Sequence, residues 1–597
     1  MKKFNYAALF LCACACCVWG YAVALRYYRF DYTGWDLPLY ANLMWNLCHG
    51  RGSTVLFGGN FLRDHYNAIA FLLVPFYYFF QSALTLLYFK LMAFFAGAYV
   101  FYLLAAKKLG GPLALALMLT YMFYPANINM ILFEFNFENL ALPLIFLLFY
   151  FFEEKKFAGF MIGAFLLAMV KENMPLVVFM FGIYGLVTRR KEGLAWGLCP
   201  MALGAGAFIA EVFVFMPGGY PVFNAPLSRW PLYSKLGHSP MGIVRTFIFK
   251  EPEVLKLLFT GRNLSFLAQL FGPLLIPALL APHILFLAAP LFLQDLLSSF
   301  NGQQSIEYFY ASTLTVFIFM AAITFLGQIK KGFKAAYVCW IVVGLLIIFD
   351  LGYVPRWRHR VNPLNEKQWV IHAILSQIPA DVPVMASGKF LSILSQRQDV
   401  YDFYVKPRRK GKRMSDDIND IAIDLSVKAR YGKAFIGKLL LNGPWKLQVG
   451  ADEVVLLSKK THGERPIESS GLYQGSGAVR PPMMMDDALE LEGLAFPQSL
   501  KFGQRTMRVV FYWDMLKDGR PATLPEISLS IFQRGGRFYL KNRAPFYGLP
   551  VEAVGHYREV FYYFIPKLAP GDYNIVVFCR PSTDAISTVY VKNISVL

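Results

Sequence analysis

About eleven apolar runs crowd the first 352 residues of this chain, at roughly 5–26, 83–106, 111–131, 139–152, 157–170, 174–188, 194–216, 264–281, 283–299, 308–327 and 335–352. Each is long enough to span, or nearly span, a hydrocarbon core of ~30 Å. No soluble fold buries so many such runs. The composition agrees: 56% of the 597 residues are hydrophobic and 17% aromatic, with a mean hydropathy of +0.43, which predicts an integral membrane protein. The run at 66–80 is shorter and follows a polar loop, so it is expected to be re-entrant or interfacial.

Charge gives the expected orientation. Lys2/Lys3, Lys107/Lys108, Lys155/Lys156, Arg189/Arg190/Lys191 and Lys330/Lys331/Lys334 fall on one side of this arrangement, which the positive-inside rule makes cytoplasmic. The loops 27–65 and 217–262 and the whole C-terminal half then lie outside, as expected of a multi-pass protein of the plasma (inner) membrane. Arg356, Arg358, His359 and Arg360 run against this pattern and form an outer basic patch suited to lipid phosphate. The net charge of +20 is carried by such loops, so nucleic acid is not an expected partner. Four cysteines, Cys12, Cys14, Cys16 and Cys17, lie inside the first apolar run, with no CxxC pair beside a histidine.

Past residue 353 the pattern changes. VPVMAS, GKFLSILSQ and DVYDF read as strand, helix and strand, and IAIDL and WKLQVGADEVVLLSK continue a small α/β domain over 353–460. KPRRKGKR at 406–413 reads as a solvated loop. Residues 461–484, rich in Gly, Ser and Pro, read as a linker. Alternating strands over 485–597, such as MRVVFYW and YNIVVFC, predict an antiparallel β-sandwich.

The polar residues that face the expected outer side are few. The stretch Arg26 to Asn67 carries Asp31, Asp36, Asp64 and His65 between two lipid-compatible runs, where carboxylates are costly unless they are used. Glu134 and Glu138 stand four apart where a span begins, Lys171 and Glu172 stand before Pro175, and Glu307 lies in a later outer loop. Lys171 with Glu172 is equally read as a local ion pair at a helix boundary. Lys90, within LLYFKLMAFF, is an intramembrane cation that either snorkels to an interface or partners a buried acid.

GWDLPLYANLMWN, GGNFLRDHYNAIAFLLVPFYYFF, FEFNFENLALP, LAMVKENMPL, PLYSKLGHSP and IPADVPVMASGKFLSILSQRQDVYDF, in that order, resemble successive blocks of the prokaryotic predicted membrane proteins called domain of unknown function 2079. The similarity runs over roughly residues 20–460. That family in turn resembles the GT-C class of polytopic glycosyltransferases. The resemblance implies transfer of a sugar from a polyprenyl-phosphate donor to an extracytoplasmic glycan or lipid acceptor, with an acid of the first outer loop activating the acceptor. By position that acid is Asp36.

This chain departs from the family pattern at several positions. Ala41 and Asn42 stand where the family shows a second Asp and a Gln, Asn136 and Phe137 replace the first two residues of His-Pro-Glu, and Asn173 replaces the Asp after Lys-Glu. The retained set is Asp36, His65, Glu138, Lys171 and Glu172. No metal ligands are assigned, and a divalent cation such as Mg or Mn would find few of the oxygen ligands it prefers.

Sugar transfer needs a base for the acceptor hydroxyl and a cation for the leaving phosphate. Asp36 and Glu138 are the catalytic candidates. Lys171, with Arg63, Arg229 or Lys235, is a candidate to hold phosphate. Trp35, Tyr40, Trp45, Trp230 and Tyr233 are candidates to stack on sugar rings, although the interfacial aromatic belt explains any one of them singly. Two other functions suit parts of the same sequence. A transporter or lipid flippase would use Lys90 and the acids but lacks visible internal repeats; an inactive sugar-binding scaffold would explain the substituted acids.

Overall fold

A computed structural model describes residues 2–32, 34–216, 230–237, 240–329, 333–358, 360–402, 418–424, 445–451, 454–459, 483–486, 489–497, 499–501, 504–515, 526–533, 536–539, 555–565, 568, 570–580 and 587–597. These fall into two compact units, one ending at Asn362 and the other beginning at Pro363. The KPRRKGKR run, the helix expected near 428–441 and almost all of the 461–484 segment lie outside the described residues.

The first unit is helical. Five helices are long and apolar enough to cross a membrane: Lys2–Tyr28, Ala83–Leu109, Leu194–Phe215, Tyr310–Ile329 and Tyr337–Trp357. A sixth candidate is the pair Gly111–Phe123 and Pro125–Leu132, bent by 49°. The bend has a local cause, because Pro125 has no N–H to continue the first helix and instead starts the second. The expected eleven spans are therefore not all realised as helices of spanning length. Phe157–Ala168, Met174–Thr188 and the run Pro282–Leu297 are shorter apolar helices, and at ~1.5 Å per residue twelve to sixteen residues fall short of a bilayer core. The 66–80 run forms one short helix, Ala70–Phe79.

Aromatic packing joins the long helices. Tyr121, fully buried, stacks on Phe94 at 5.5 Å and meets Phe319 edge-on at 5.1 Å, while Phe101 meets Phe319 edge-on at 5.6 Å. Close backbone approach joins the shorter ones. A Cβ at Gly185 would collide with the Trp196 carbonyl oxygen, and one at Gly204 would sit 2.5 Å from that of Pro175. Small residues at helix contacts in lipid permit this approach.

The basic clusters meet at one end of this unit. Lys107 pairs with Glu154, Lys108 with Glu153 at 2.8 Å, and Lys155 with Glu192 at 3.3 Å. Gly327, near the end of Tyr310–Ile329, lies against the Lys108 side chain, and Gly111 lies against the Phe4 ring. Helix order then puts residues 34–37, 134–138 and 171–173 at the opposite end.

The second unit is built on two sheets. The larger has nine strands in the order 400–402, 384–386, 420–424, 454–458, 446–451, 555–564, 506–515, 489–495 and 483–486. Its first three strands are parallel, and the helix Gly388–Leu394 connects 384–386 to 400–402, the crossover that a parallel pair requires. Arg397 fastens this turn by donating to the carbonyls of Leu394, Pro379 and Val382 at 2.8–2.9 Å. The strands 446–451 and 555–564 are parallel and register at Val449 and Val560, so one sheet takes strands from both sides of the 461–484 segment. The smaller sheet has the order 499–500, 587–596, 571–580, 526–533 and 536–539.

Candidate functional site

The first outer-loop acid sits at the start of helix Asp36–Cys48, and a distant carboxylate holds that start. Gly34 adopts φ 87°, a left-handed conformation that glycine takes without steric cost. The turn aims four successive N–H groups at Glu134. Gly34 N donates to Oε1 at 2.9 Å and Trp35 N at 3.3 Å; Asp36 N and Leu37 N donate to Oε2 at 2.6 and 2.7 Å. The first N–H groups of a helix lack internal partners and carry the positive end of its dipole. A buried carboxylate satisfies both needs, and Glu134 is 1% exposed.

Lys90 fixes the segment that carries Glu134. Its Nζ donates to the carbonyls of Met130 at 3.1 Å, Ile131 at 2.9 Å and Phe133 at 2.7 Å, with Glu134 O at 3.5 Å. These carbonyls lie at the end of helix Pro125–Leu132, where a cation is favourable, and Met130 O also accepts from Phe133 N at 3.2 Å. The buried lysine that suited a transporter therefore holds backbone. Lys90→Met is expected to take the ammonium donor from the Ile131 and Phe133 carbonyls and to lower the amount of inserted protein and its detergent melting temperature. Unchanged abundance and melting would contradict the capping role.

Asp36 differs from the acids around it. Asn136 Nδ2 donates to its Oδ2 at 3.2 Å and lies 3.4 Å from the Tyr40 hydroxyl. Enclosure, with the negative Glu134 next in importance, pushes the half-buried Asp36 carboxyl up to about 7. Lys171 and Asp64 lie within electrostatic reach of it.

The other carboxylates are engaged. Glu138 Oε2 pairs with Lys171 Nζ at 2.5 Å, both side chains 4% exposed, and the ammonium lies 5.7 and 5.8 Å from the ring centres of Phe309 and Tyr310. Glu172 holds the loop before Ala70: Oε1 lies 2.7 Å from His65 Nδ1 and Oε2 accepts from Tyr66 N at 3.3 Å. Two more bonds close that loop, Asn67 Nδ2 to Val170 O at 2.8 Å and Ile69 N to Met169 O at 2.9 Å. Asn173 reaches Gln294 at 3.0 Å. The next residue, Asp295, is buried and within electrostatic reach of Glu138 and Lys171. Asp295 was not singled out in the sequence; its signal is a carboxylate within the apolar LFLQDLL.

The remaining candidates are scattered. Trp35 is 64% exposed and Arg63 is exposed, both in the first outer loop. Tyr40 is buried against Phe57, Phe135 and Phe137, so it packs the loop and is no platform for a sugar. Trp45 stacks on His49 at 4.0 Å. Tyr233 donates to Gln294 O at 3.4 Å, and Lys235 lines a cavity with Arg262 and Ser298. Arg229 and the Trp230 side chain lie outside the described residues. In the basic patch, Arg360 donates to Asn129 Oδ1 at 3.4 Å and its carbonyl accepts from Arg26 at 3.1 Å.

No group of three His, Cys, Asp or Glu side chains among the described residues is arranged to hold a metal ion. Glu134, Glu138 and Glu172 are occupied by N–H groups, lysine and histidine, so this donor set does not fit a divalent cation, which takes six or more oxygens.

Helices of spanning length with a polar cluster at one end define a multi-pass membrane protein. The chain belongs to the predicted membrane protein family of domain of unknown function 2079 (DUF2079), whose model matches residues 26–456. No curated protein matches it. Among solved structures it is similar to the Archaeoglobus fulgidus oligosaccharyltransferase, crystallised with zinc and sulfate, at a TM-score of 0.36 and 11% identity over 95% of each chain. A likeness of that score carries no weight for function.

Proposed function

We propose that this protein is a glycosyltransferase of the GT-C type, moving a sugar from a polyprenyl-phosphate donor to an extracytoplasmic glycan or lipid acceptor. One observation carries the reading. At this end of the helical unit the Asp36 carboxyl is pushed up to about 7 by enclosure and by the neighbouring Glu134, and it accepts a hydrogen bond from the neutral Asn136 amide. A general base works best when its pKa lies near the operating pH. Glu134 and Lys90 position Asp36 through backbone, while the Glu138–Lys171 pair and the Glu172–His65 contact fix other segments of the same end. Trp35, exposed beside Asp36, is suited to stack on a sugar ring. The strands of residues 483–597, which enter both sheets, are read as a module that binds carbohydrate or braces the membrane unit. The activity test is a comparison of envelope glycans with Asp36 intact and substituted.

The same reading needs the Asp36 end to face away from the cytoplasm of a plasma (inner) membrane. Convergence of the Lys107/Lys108, Lys155 and Arg189 regions on the other end supports that orientation through the positive-inside rule. A reporter active only outside the cytoplasm, fused after Leu597, is expected to be active. Activity of a cytoplasm-only reporter at that position would overturn the orientation and with it the outer site.

A further inference from the structure

Lys171 is committed to Glu138, so the cation that meets a leaving phosphate has to come from elsewhere. A cavity of about 270 Å³ lies at the start of helix Gly261–Phe271, lined among others by Lys235, Arg262, Thr260, Ser298, Asn301 and Gln304. Among the described residues no carboxylate lines it, and neither Lys235 nor Arg262 forms an ion pair. Arg262 donates to the Asn301 side-chain oxygen, which directs the guanidinium while leaving its charge uncancelled.

The cavity is also cleared of groups that would repel an anion. The nearby carbonyl ends of helix Ala289–Leu297 are taken by amides: Asn263 Nδ2 donates to Leu296 O at 2.9 Å, and Gln304 Nε2 donates to Leu296 O at 3.3 Å and Ser298 O at 2.8 Å. Thr260 Oγ1 accepts from Asn263 N and Ser298 Oγ from Phe300 N, so each hydroxyl keeps its own proton to donate. The N–H groups that begin helix Gly261–Phe271 add their dipole. Leu257, Leu296 and Leu297 supply an apolar wall, and the adjacent helices expose Phe249 and Phe259 at 76% and 69%. Lys235 comes from the segment that Ser299 N secures to Leu232 O at 2.7 Å.

We propose that this cavity binds a phosphate headgroup, with Lys235 and Arg262 as the cationic ligands and the Thr260 and Ser298 hydroxyls as further donors. Its volume is slightly below the roughly 300–1,000 Å³ of pockets that enclose drug-sized ligands, so it takes the headgroup and leaves any lipid chain outside along the leucines and phenylalanines. Helix Ala289–Leu297 links it to the Asp36 end, since Gln294 bonds Asn173 and Asp295 lies within reach of Lys171. The proposal deepens the transferase reading, and rests on it only for the identity of the phosphate compound.

The test is binding without turnover, on the full chain. Retention of undecaprenyl phosphate is counted by native mass spectrometry from phosphatidylcholine nanodiscs containing that lipid, and inorganic phosphate binding is measured by equilibrium dialysis in detergent. Lys235→Gln with Arg262→Gln is expected to weaken binding about ten- to a hundredfold, the scale of losing charge-assisted hydrogen bonds. Lys235→Gln alone, at an exposed position, gives a smaller loss and serves if the double variant does not insert; Arg262→Lys keeps most of the binding. Loss with the lipid probe identifies a lipid headgroup, and loss with inorganic phosphate alone identifies a soluble phosphate. Equal binding by wild type and both Gln variants with both probes overturns the proposal. Because Asp36→Asn is expected to bind normally, a failure here is distinguishable from a failure of the transferase reading.

Discussion

Asp36→Asn is expected to lower sugar transfer by ~10²–10⁴-fold, the contribution typical of a positioned general base, with little loss of donor binding. The amide keeps the shape of the carboxyl and a side-chain oxygen for Asn136, but accepts no proton. Wild-type activity carries a second signature. With the Asp36 carboxyl pushed up to about 7, kcat/KM rises with pH as this group deprotonates and levels off above neutrality. The stability sign runs opposite to that of an ordinary ion-paired aspartate. The folded state keeps the proton over a range, from the ordinary 3.8 up to about 7, in which the unfolded chain has lost it. Stability at this site is therefore greatest at low pH and declines as pH rises toward 7. Asp31→Asn and Asp64→Asn, in the same loop, are expected to have milder effects on transfer. An acid limb that stays in place in Asp36→Asn would assign it to another group.

Glu134→Ala is expected to prevent stable insertion. It removes the acceptor shared by Gly34, Trp35, Asp36 and Leu37 N–H groups, and each buried donor left unsatisfied costs about 1–3 kcal/mol. Summed over several donors this is comparable with the ~5–15 kcal/mol by which whole domains are stable. Glu134→Gln is the informative partner, because it keeps one side-chain oxygen while losing the charge. It is expected to insert at reduced abundance. Since the Glu134 charge is one of the causes that raise the Asp36 pKa, its loss moves the acid limb of kcat/KM to lower pH. A Glu134→Gln protein with wild-type melting and an unmoved limb would contradict both the cap and its electrostatic effect. Sorting inserted protein by fluorescence-detected size exclusion, then measuring the pH profile on the folded fraction, separates the two consequences.

Much of the helical unit was legible because the membrane imposes a long apolar run on any helix that crosses it. Lys2–Tyr28, Ala83–Leu109 and Tyr310–Ile329 lie almost where the hydropathy put them. The span count was not legible, because hydropathy records what contacts apolar surroundings and not how far a helix continues. Phe157–Ala168 and Met174–Thr188 are as apolar as the long helices but are halved by the turn at 169–173. Within the polar cluster, Asp36 and the Lys171 and Glu172 positions were readable as charges placed where charge is costly. Their partners were not, since Glu134 meets residues 34–37 across about a hundred positions of chain through backbone groups common to every sequence. Lys90 reads in the sequence as a cation that snorkels to an interface or partners a buried acid, whereas its partners are carbonyls. In the second unit, the strand, helix and strand near 384–402 were readable from local pattern. The parallel register of Val449 with Val560 was not, because it joins segments more than a hundred residues apart.

The central claim is that Asp36 performs chemistry on a lipid-linked sugar, and a mass-spectrometric comparison of envelope glycans and polyprenyl lipids tests it most directly. Three strains are compared: one lacking the protein, the same strain complemented with wild type, and the same strain complemented with Asp36→Asn, with insertion checked in both complemented strains. The account predicts that a glycan or glycolipid present with wild type is absent from both other strains, while its polyprenyl-phosphate-sugar precursor accumulates in them. Full restoration of that product by normally inserted Asp36→Asn would contradict it.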